Sequence, residues 1–328
     1  MRVRDVPFRW MATAAVAIST LSAPAAAQAA RHINPVIDLL TKKQSIFGLY
    51  APSNRRGGRG APPLPADSVK SQATLAMDAV AHTKTDYIFD GSMEGNFDAG
   101  YATFSEFAKG MATAGGMKNG RKTHPLYVKT PEIAADTLKA AEHIARQLNL
   151  GVSGIVFVGV ESAREVQQGL AMMRFRSQGG IRPDDVGAAP AFWGMSEKEY
   201  KAKADVWPLN PKGELVNWTI VETKEGLANI REIAAVKGIG TLLPGAGSLR
   251  QVFSTTDANG QRVVDEKAWE AAIQSVLAAC KEFSVPCGYP ATATDIEMRM
   301  TQGFSVFVIG WGEPGFKAID VGMKAARR

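Results

Sequence analysis

The chain has few of the side chains that build thiol, zinc or histidine sites. Its 328 residues include two cysteines and four histidines. Two cysteines do not make the disulfide framework of a small secreted domain. Because a helix end and the next strand rarely hold their Cα atoms at bonding distance, Cys280 and Cys287 are predicted to be buried thiols. No Ser-His-Asp or Cys-His grouping can be assembled and no histidine is expected to be a catalytic base, which argues against those hydrolase classes.

Patterns for nucleic-acid binding and for membrane spans are also missing. The sequence has no basic patch interleaved with aromatic residues and no helix-turn-helix pattern, so no nucleic-acid partner is expected. After residue 29, no apolar run reaches the roughly 20 residues that a bilayer span needs. The cluster Arg55, Arg56 and Arg59 stands among glycines and prolines and is interpreted as a solvated loop.

The first 29 residues have the three parts of a secretory signal peptide. These are a basic start with three arginines, an apolar stretch from Met11 to Leu21, and the small-residue cleavage signal Ala27-Gln28-Ala29. A disordered alanine-rich leader is the alternative interpretation. We expect residues 30–328 to form the mature protein, exported to a bacterial periplasm and free of the membrane. Its net charge is +4 rather than +6, because three arginines and one aspartate leave with the leader.

Beyond the leader, apolar runs of strand length alternate with helical patterns. Eight runs are predicted to be strands: Ile46–Tyr50, Tyr87–Asp90, Leu126–Lys129, Gly154–Val158, Trp218–Val221, Thr241–Pro244, Cys287–Tyr289 and Val306–Ile309. Helical patterns lie between most of them: Ser68–His82, Ala99–Met111, Thr130–Leu148, Ser162–Met173, Lys224–Val236, Glu266–Phe283 and Thr292–Gln302. Eight strand–helix units predict a parallel sheet closed into a single (β/α)8 barrel.

Three further segments belong to this predicted barrel. A short amphipathic helix, Pro35–Lys43, is expected to cover the bottom of the barrel. Two long segments, Ala51–Asp67 and Ser177–Leu215, are expected to lie over the carboxyl ends of the strands, because loops of this length usually serve as lids or binding elements.

Residues 217–249 carry the most informative pattern in the chain. An apolar run from Trp218 to Val221 ends in Glu222, and a helical pattern follows. A second apolar run then breaks into Gly245-Ala246-Gly247-Ser248. Because sites in parallel α/β proteins are built where strands end, this arrangement points to a binding site at the carboxyl ends.

These motifs resemble the HpcH/HpaI aldolase and citrate lyase beta-subunit family. Ile220-Val221-Glu222-Thr223 and Gly245-Ala246-Gly247-Ser248-Leu249 match its two motifs, with Ser248 where the family has its second metal-binding aspartate. The resemblance implies a (β/α)8 barrel that cleaves carbon–carbon bonds of 2-oxo acids or related carboxylates. It also implies a divalent ion, Mg²⁺ or Mn²⁺, held by Glu222 together with Ser248, or with Asp90 through water, to stabilise an enolate. Family members often form homo-oligomers.

Three further positions depart from the family pattern. Phe89-Asp90-Gly91-Ser92-Met93 resembles the aldolase Asp-Gly-Glu-His turn, but Met93 stands where the family has a histidine that moves a proton. Lys129 stands where aldolases have an arginine that supports the enolate. Ile220 replaces a glutamine of the aldolase branch. Arg174–Arg182 resembles a family stretch that is expected to line the barrel mouth.

Each candidate residue also has an alternative role. Asp90 is a catalytic candidate, but it could instead stabilise an Asx turn. Lys129 could stabilise an enolate, form a Schiff base, or pair with Glu222 or Asp90. Glu222 could simply be an acidic residue in the first turn of a helix. Gly245, Ala246, Gly247 and Ser248 could bind a substrate carboxylate through backbone N–H groups, or Ser248 could cap the next helix.

The sequence therefore predicts a lyase that acts on a small carboxylate. Asp90, Lys129, Glu222 and Ser248 should then meet at one end of the barrel. The alternative is an altered barrel that only binds a small carboxylate or uses Lys129 for different chemistry.

Overall fold

A computed structural model describes residues 31–54, 65 and 68–328 of the chain. These described residues form one compact unit. The predicted signal peptide and the cluster Arg55, Arg56 and Arg59 lie outside the described residues. Among the residues that are described, no helix is long and apolar enough to cross a membrane.

The centre of the fold is a parallel sheet that curls, and it contains all eight predicted strands. They are β1 (Ile46–Tyr50), β2 (Tyr87–Asp90), β5 (Leu126–Lys129), β6 (Gly154–Phe157), β8 (Leu215–Val221), β9 (Ile239–Pro244), β12 (Gly288–Pro290) and β13 (Val306–Ile309). Their order is β12-β13-β1-β2-β5-β6-β8, and β9 pairs with β8. A single parallel bridge, Leu242 to Cys287, joins β9 to the residue before β12.

The other strands of the described residues are two or three residues long. A two-residue strand, β7 (Val206–Trp207), pairs in parallel with the start of β8. Two small antiparallel hairpins lie outside the main sheet: β3 (Met117–Lys118) with β4 (Arg121–Lys122), and β10 (Ser254–Thr256) with β11 (Arg262–Val264).

Thirteen α-helices occur in the described part of the chain. They are α1 (Pro35–Thr41), α2 (Gln72–Ala81), α3 (Phe97–Thr113), α4 (Thr137–Asn149), α5 (Ala163–Met173), α6 (Ala189–Phe192), α7 (Glu197–Lys203), α8 (Lys224–Ala228), α9 (Ile230–Ala234), α10 (Ala246–Val252), α11 (Glu266–Phe283), α12 (Ile296–Gln302) and α13 (Glu313–Ala325).

Helices α2 and α12 each begin four residues later than predicted, and two other predicted helices differ more. Helix α4 begins at Thr137 rather than Thr130, because Pro131 disfavours a helical conformation at the residue before it. The Asp136 side chain caps the helix by accepting from the backbone N–H groups of Leu138 and Lys139, both at 3.1 Å. The single helix predicted over Lys224–Val236 is divided into α8 and α9 at Asn229, whose side-chain amide donates to the Glu161 carbonyl at 2.8 Å.

Aromatic side chains fill the inside of the curled sheet. The ring of Trp218 stacks on that of Tyr127 at 4.4 Å and meets the edge of Tyr87 at 4.9 Å. The sheet makes room for these rings at glycines: a Cβ added at Gly48 would lie 2.0 Å from the Tyr87 ring. Val36, Ile37 and Leu40 of α1 pack on this inner cluster. The expected cover at the amino ends of the strands is therefore present.

The structure corrects the prediction of two free thiols. Cys280 and Cys287 form a disulfide with their Cα atoms 5.7 Å apart. Helix α11 ends at Phe283, and Ser284 adopts the left-handed conformation with φ of 56°. The chain reverses direction at this residue, so Cys287 lies next to Cys280 although only seven positions separate them in the sequence.

The structure also corrects the position of the long segment Ser177–Leu215. It follows α5 and therefore lies at the amino ends of the strands, opposite the predicted mouth. Trp193 Nε1 donates to the Gly151 carbonyl at 2.8 Å, and Arg182 Nη2 donates to Asn149 Oδ1 at 3.0 Å. Both acceptors lie where α4 turns into β6. The segment Arg174–Arg182 thus supports the amino end and does not line the mouth.

Candidate active site at the carboxyl ends of the strands

Parallel strands bring the predicted site residues to one edge of the sheet. Asp90 ends β2 and Lys129 ends β5, its neighbour in the sheet. Glu222 directly follows β8. The charge of Glu222 makes a small contribution to raising the pKa of Lys129.

The ion-pair partner of Lys129 is Glu94, not Glu222 or Asp90 as the sequence suggested. Lys129 Nζ donates to both carboxylate oxygens of Glu94, at 2.8 and 3.0 Å. The Lys129 side chain is only 14% exposed. Burial alone lowers its pKa, but the hydrogen bonds and charge of Glu94 outweigh that effect, so the pKa is raised above its ordinary value. Lys129 is therefore a permanent cation at neutral pH.

The turn after β2 explains why Glu94 reaches Lys129. Asp90 Oδ1 accepts from the Ser92 N–H at 2.8 Å and from the Ser92 hydroxyl, so Asp90 does form the Asx turn that was the alternative interpretation. Met93 is fully buried, and its sulfur accepts from Gln147 Nε2 at 3.6 Å. Because Met93 faces the core, the next residue, Glu94, faces the strand ends.

Helix α3 holds this turn firmly in place. Gly100 lies so close to the turn that an added Cβ would be 2.4 Å from the Ser92 carbonyl oxygen. The Asn96 side chain caps α3 by accepting from the Ala99 N–H at 3.2 Å. The position of Glu94 is therefore set by packing as well as by its ion pair.

Two glycines hold Glu222. Its Oε1 accepts from the Gly159 N–H at 3.0 Å. A Cβ added at Gly245 would lie 2.5 Å from the other carboxylate oxygen, so only glycine leaves room for it. Thr223 is the residue that caps α8, accepting from the Gly226 N–H at 3.0 Å. Glu222 thus precedes the cap and is not the first-turn acidic residue of the alternative interpretation.

The glycine-rich segment after β9 starts a short helix. Gly245 occupies the N-cap position of α10, and Ser248 is an exposed residue within its first turn. Ser248 therefore does not cap the helix, which corrects that alternative. The N–H groups of Ala246, Gly247 and Ser248 belong to the first turn, where a helix leaves its donors without internal partners.

A tyrosine and a pocket that the sequence did not indicate adjoin these residues. Tyr50 ends β1, and burial raises the pKa of its phenol above the ordinary value. The charges that act on this phenol come from Lys129, Glu94, Asp90 and Glu222. A pocket of about 750 Å³ lies beside the turn, with Tyr50, Asp90 and Glu94 in its wall. Tyr50 could have been found as the last residue of a predicted strand.

The oxygen atoms of Glu222 and Ser248 are ligands that suit a hard cation, but they do not surround one. Within the described residues, no group of three or more histidine, cysteine or acidic side chains is arranged to hold a metal ion. Mg²⁺ needs only one or two protein carboxylates and takes its other ligands from water and substrate. Glu222, with one oxygen in the space left by Gly245, fits that limited role. Ser248 would add only a neutral hydroxyl.

Comparisons with solved structures agree with this fold. An HpcH/HpaI aldolase/citrate lyase family protein from Burkholderia cenocepacia J2315 is 19% identical, with a TM-score of 0.62. The match covers 84% of this chain and 92% of that chain. An HpcH/HpaI aldolase from Desulfitobacterium hafniense DCB-2 is 16% identical, with a TM-score of 0.59, covering 84% and 89%. The citrate lyase beta subunit of M. tuberculosis, complexed with oxaloacetate and magnesium, is 16% identical, with a TM-score of 0.50, covering 88% and 100%. At these identities the likeness shows the fold alone.

The sequence itself identifies the family. A comparison with curated proteins found no match. The family profile described as HpcH/HpaI aldolase/citrate lyase, however, matches residues 126–310, more than half of the chain. The matched region includes Lys129, Gly159, Glu222 and Gly245. The chain belongs to the HpcH/HpaI aldolase/citrate lyase family.

Proposed function

We propose that this protein is an aldolase-type carbon–carbon lyase that acts on a 2-oxo acid or a related carboxylate through an enolate. The observation that carries the proposal is that a cation, Lys129, and a carboxylate flanked by two glycines, Glu222, lie at the carboxyl ends of the strands of one sheet. Family membership supports lyase chemistry on carboxylates. The relative complexed with oxaloacetate and magnesium supports a substrate and cofactor of this kind.

In this proposal Lys129 binds and stabilises negative charge. Its ammonium group would attract the substrate carboxylate and then the enolate oxygen that develops as the carbon–carbon bond breaks. Such a charge is effective because it is positioned before the reaction and shielded from water. The backbone N–H groups of Ala246, Gly247 and Ser248 are proposed to contact the same carboxylate, whereas the Gly245 N–H already donates to the Val221 carbonyl at 2.9 Å.

Glu222, assisted by Ser248, is proposed to hold Mg²⁺ or Mn²⁺. When bound, the ion would supply Lewis-acid stabilisation of the enolate. The Gly159 N–H and the close approach of Gly245 orient the carboxylate toward the strand ends. Asp90, the other catalytic candidate, is proposed to act as a positioning residue, because its side chain stabilises the turn that carries Glu94.

The remaining expectations are part of the same proposal. The bridge between Leu242 and Cys287 is proposed to close the sheet into a complete (β/α)8 barrel. Residues 1–29 are proposed to be a signal peptide that directs the protein to the periplasm, and the disulfide supports this because disulfides persist in oxidising compartments. The mature chain is proposed to form homo-oligomers and to bind neither nucleic acid nor membrane.

The second candidate is a barrel that binds a small carboxylate without cleaving it. Two observations favour it: the buried Met93 replaces a proton-transferring histidine, and Ser248 replaces a metal-binding aspartate.

Decarboxylation of oxaloacetate by the mature protein separates the two candidates. We expect turnover in the presence of Mg²⁺, loss of turnover on adding EDTA, and about a 100-fold lower rate in Glu222→Gln, as for loss of one strong electrostatic contact. Glu225→Gln is the matched control, because Glu225 is an exposed residue three positions further along. An inactive wild-type protein that binds oxaloacetate would favour the binding barrel. Full activity in Glu222→Gln would remove the role of Glu222.

A further inference from the structure

Enolate chemistry needs a group that takes up and returns a proton, and the histidines do not supply it. Each described histidine has its contacts with residues other than Asp90, Glu94, Lys129 and Glu222. His32 contacts Glu214, His82 stacks on Phe316, His124 contacts the His82 carbonyl, and His143 stacks on Phe97. Met93 has no basic atom and is buried. A different side chain must therefore do this work if the proposed function is correct.

Glu94 is the carboxylate placed to do so. Its side chain is 38% exposed, so it can meet a substrate, while both of its oxygens contact Lys129. It also forms part of the wall of the 750 Å³ pocket. Glu94 thus lies between the cation that would bind the substrate carboxylate and the space where the rest of the substrate would fit.

Asp90 and Glu222 are committed to different contacts. Asp90 Oδ1 accepts two hydrogen bonds from Ser92, which maintain the turn. Glu222 Oε1 accepts from the Gly159 N–H and its other oxygen faces Gly245. Glu94 has Lys129 as its side-chain partner, and Lys129 is itself expected to shift toward the substrate's negative charge.

We infer that Glu94 is the catalytic acid–base residue of this site, an inference that rests on the proposed function. In the forward direction on pyruvate, the C3–H bond breaks and its proton passes to the Glu94 carboxylate. The electron pair of that bond becomes the C2–C3 double bond, and the carbonyl pair moves to the oxygen. Lys129 stabilises the resulting oxyanion, and Glu94 returns the proton in the reverse step. General acid–base catalysis by a positioned side chain typically raises the reaction rate by about 100-fold to 10,000-fold.

Two reactions of one enolate separate the role of Glu94 from that of Lys129. Oxaloacetate forms the pyruvate enolate by losing CO2, a step that needs charge stabilisation but no base. Exchange of the pyruvate methyl protons with D2O, followed by NMR, forms the same enolate and requires a base. The decarboxylation rate therefore reports charge stabilisation, the exchange rate reports charge stabilisation together with proton transfer, and the ratio of the two rates isolates proton transfer.

Glu94→Gln should lower the exchange rate at least 100-fold, and at least tenfold more than it lowers decarboxylation. Glu94→Asp should recover part of the exchange, and the acid limb of the wild-type pH profile should be missing in Glu94→Gln. Glu106→Gln is the matched control, because Glu106 pairs with Lys109 at 2.6 Å on the exposed face of α3. Thermal unfolding of each variant checks that it is folded.

Equal losses of exchange and decarboxylation in Glu94→Gln would overturn the inference and make Glu94 a positioning partner of Lys129. So would an exchange rate that is unchanged in this variant. A wild-type protein that decarboxylates oxaloacetate but exchanges no pyruvate protons would also overturn the inference while leaving the proposed function intact. A wild-type protein with neither activity would overturn the proposed function and the inference with it.

Discussion

At the scale of single residues, Lys129 decides which chemistry this family member can perform. An arginine at this position would offer a planar fork of donors, whereas lysine offers a single charge on a flexible stem. A Schiff base requires the neutral amine. Because Glu94 raises the pKa of Lys129, the neutral form is scarce at physiological pH, and the structure favours a charge that stabilises an enolate.

Substitutions of Lys129 distinguish these roles. If its charge stabilises the enolate, Lys129→Arg should retain most of the oxaloacetate decarboxylation rate. Lys129→Met should then lose about 100-fold to 1,000-fold, the cost of one oxyanion contact. In Schiff-base chemistry both variants would be equally inactive, since a guanidinium group cannot form the imine.

Borohydride treatment with pyruvate gives an independent check on Lys129. We expect mass spectrometry to find the peptide that contains Lys129 unmodified. A trapped adduct on Lys129 would contradict the electrostatic role and establish an imine.

The sequence located Lys129 and Glu222 but not the ion pair between Lys129 and Glu94. Lys129 and Glu222 each stand at the end of an apolar run, and the end of such a run predicts the end of a strand. The partner of Lys129 depends instead on which way each residue of a four-residue turn points. Met93 faces the core and Glu94 the strand ends because Asp90 bonds Ser92 and α3 packs on the turn. Such long-range packing has no signature in residue spacing.

At the scale of elements, strands were easier to predict than helix starts. Four strands, among them β1 and β5, have the bounds that were predicted, because continuous apolar runs bounded by polar residues mark buried parallel strands. Helix α4 starts seven residues later than predicted, since its apolar pattern extends into a segment that Pro131 keeps out of the helix. The predicted position of Ser177–Leu215 was wrong, because the length of a segment does not indicate at which end of the strands it lies.

The close contact between β9 and β8 provides a test at this scale. Gly245→Ala would place a Cβ 2.4 Å from the Glu222 Cβ, so the carboxylate must move. We expect Gly245→Ala to reduce decarboxylation nearly as much as Glu222→Gln, and thermal unfolding checks that the variant is folded. The reason is that a Cβ 2.4 Å from the Glu222 Cβ forces the ends of β9 and β8 apart, and the carboxylate then loses its orientation.

Gly247→Ala is the matched substitution, because a Cβ there meets nothing within 4 Å and the residue lies in the same helix turn. Its loss of activity should be at least tenfold smaller than that of Gly245→Ala. Equal effects of the two substitutions would show that backbone flexibility of α10, rather than the position of Glu222, controls the activity.

At the scale of the whole molecule, the disulfide lies where the sheet is held most weakly. Most neighbouring strands share a ladder of three to five paired residues, but β9 meets the start of β12 through one bridge at Cys287. Leu242 N–H donates to the Pro286 carbonyl at 2.9 Å, and Cys280 lies in α11, which packs outside both strands. The disulfide therefore ties the outer helix to the sheet at the point where backbone pairing is sparse.

Removal of this disulfide should destabilise the protein as a whole. The loop between Cys280 and Cys287 is short, and cross-linking a loop of this size contributes about 2 to 3 kcal/mol through the entropy of the unfolded chain. We expect the double substitution Cys280→Ser with Cys287→Ser to lower the free energy of unfolding by about that amount, measured by urea denaturation. A reductant should lower the wild-type midpoint and leave the double variant unchanged. An unchanged wild-type midpoint under reducing conditions would mean that the backbone bridge and the packing of α11 hold this part of the sheet without the cross-link.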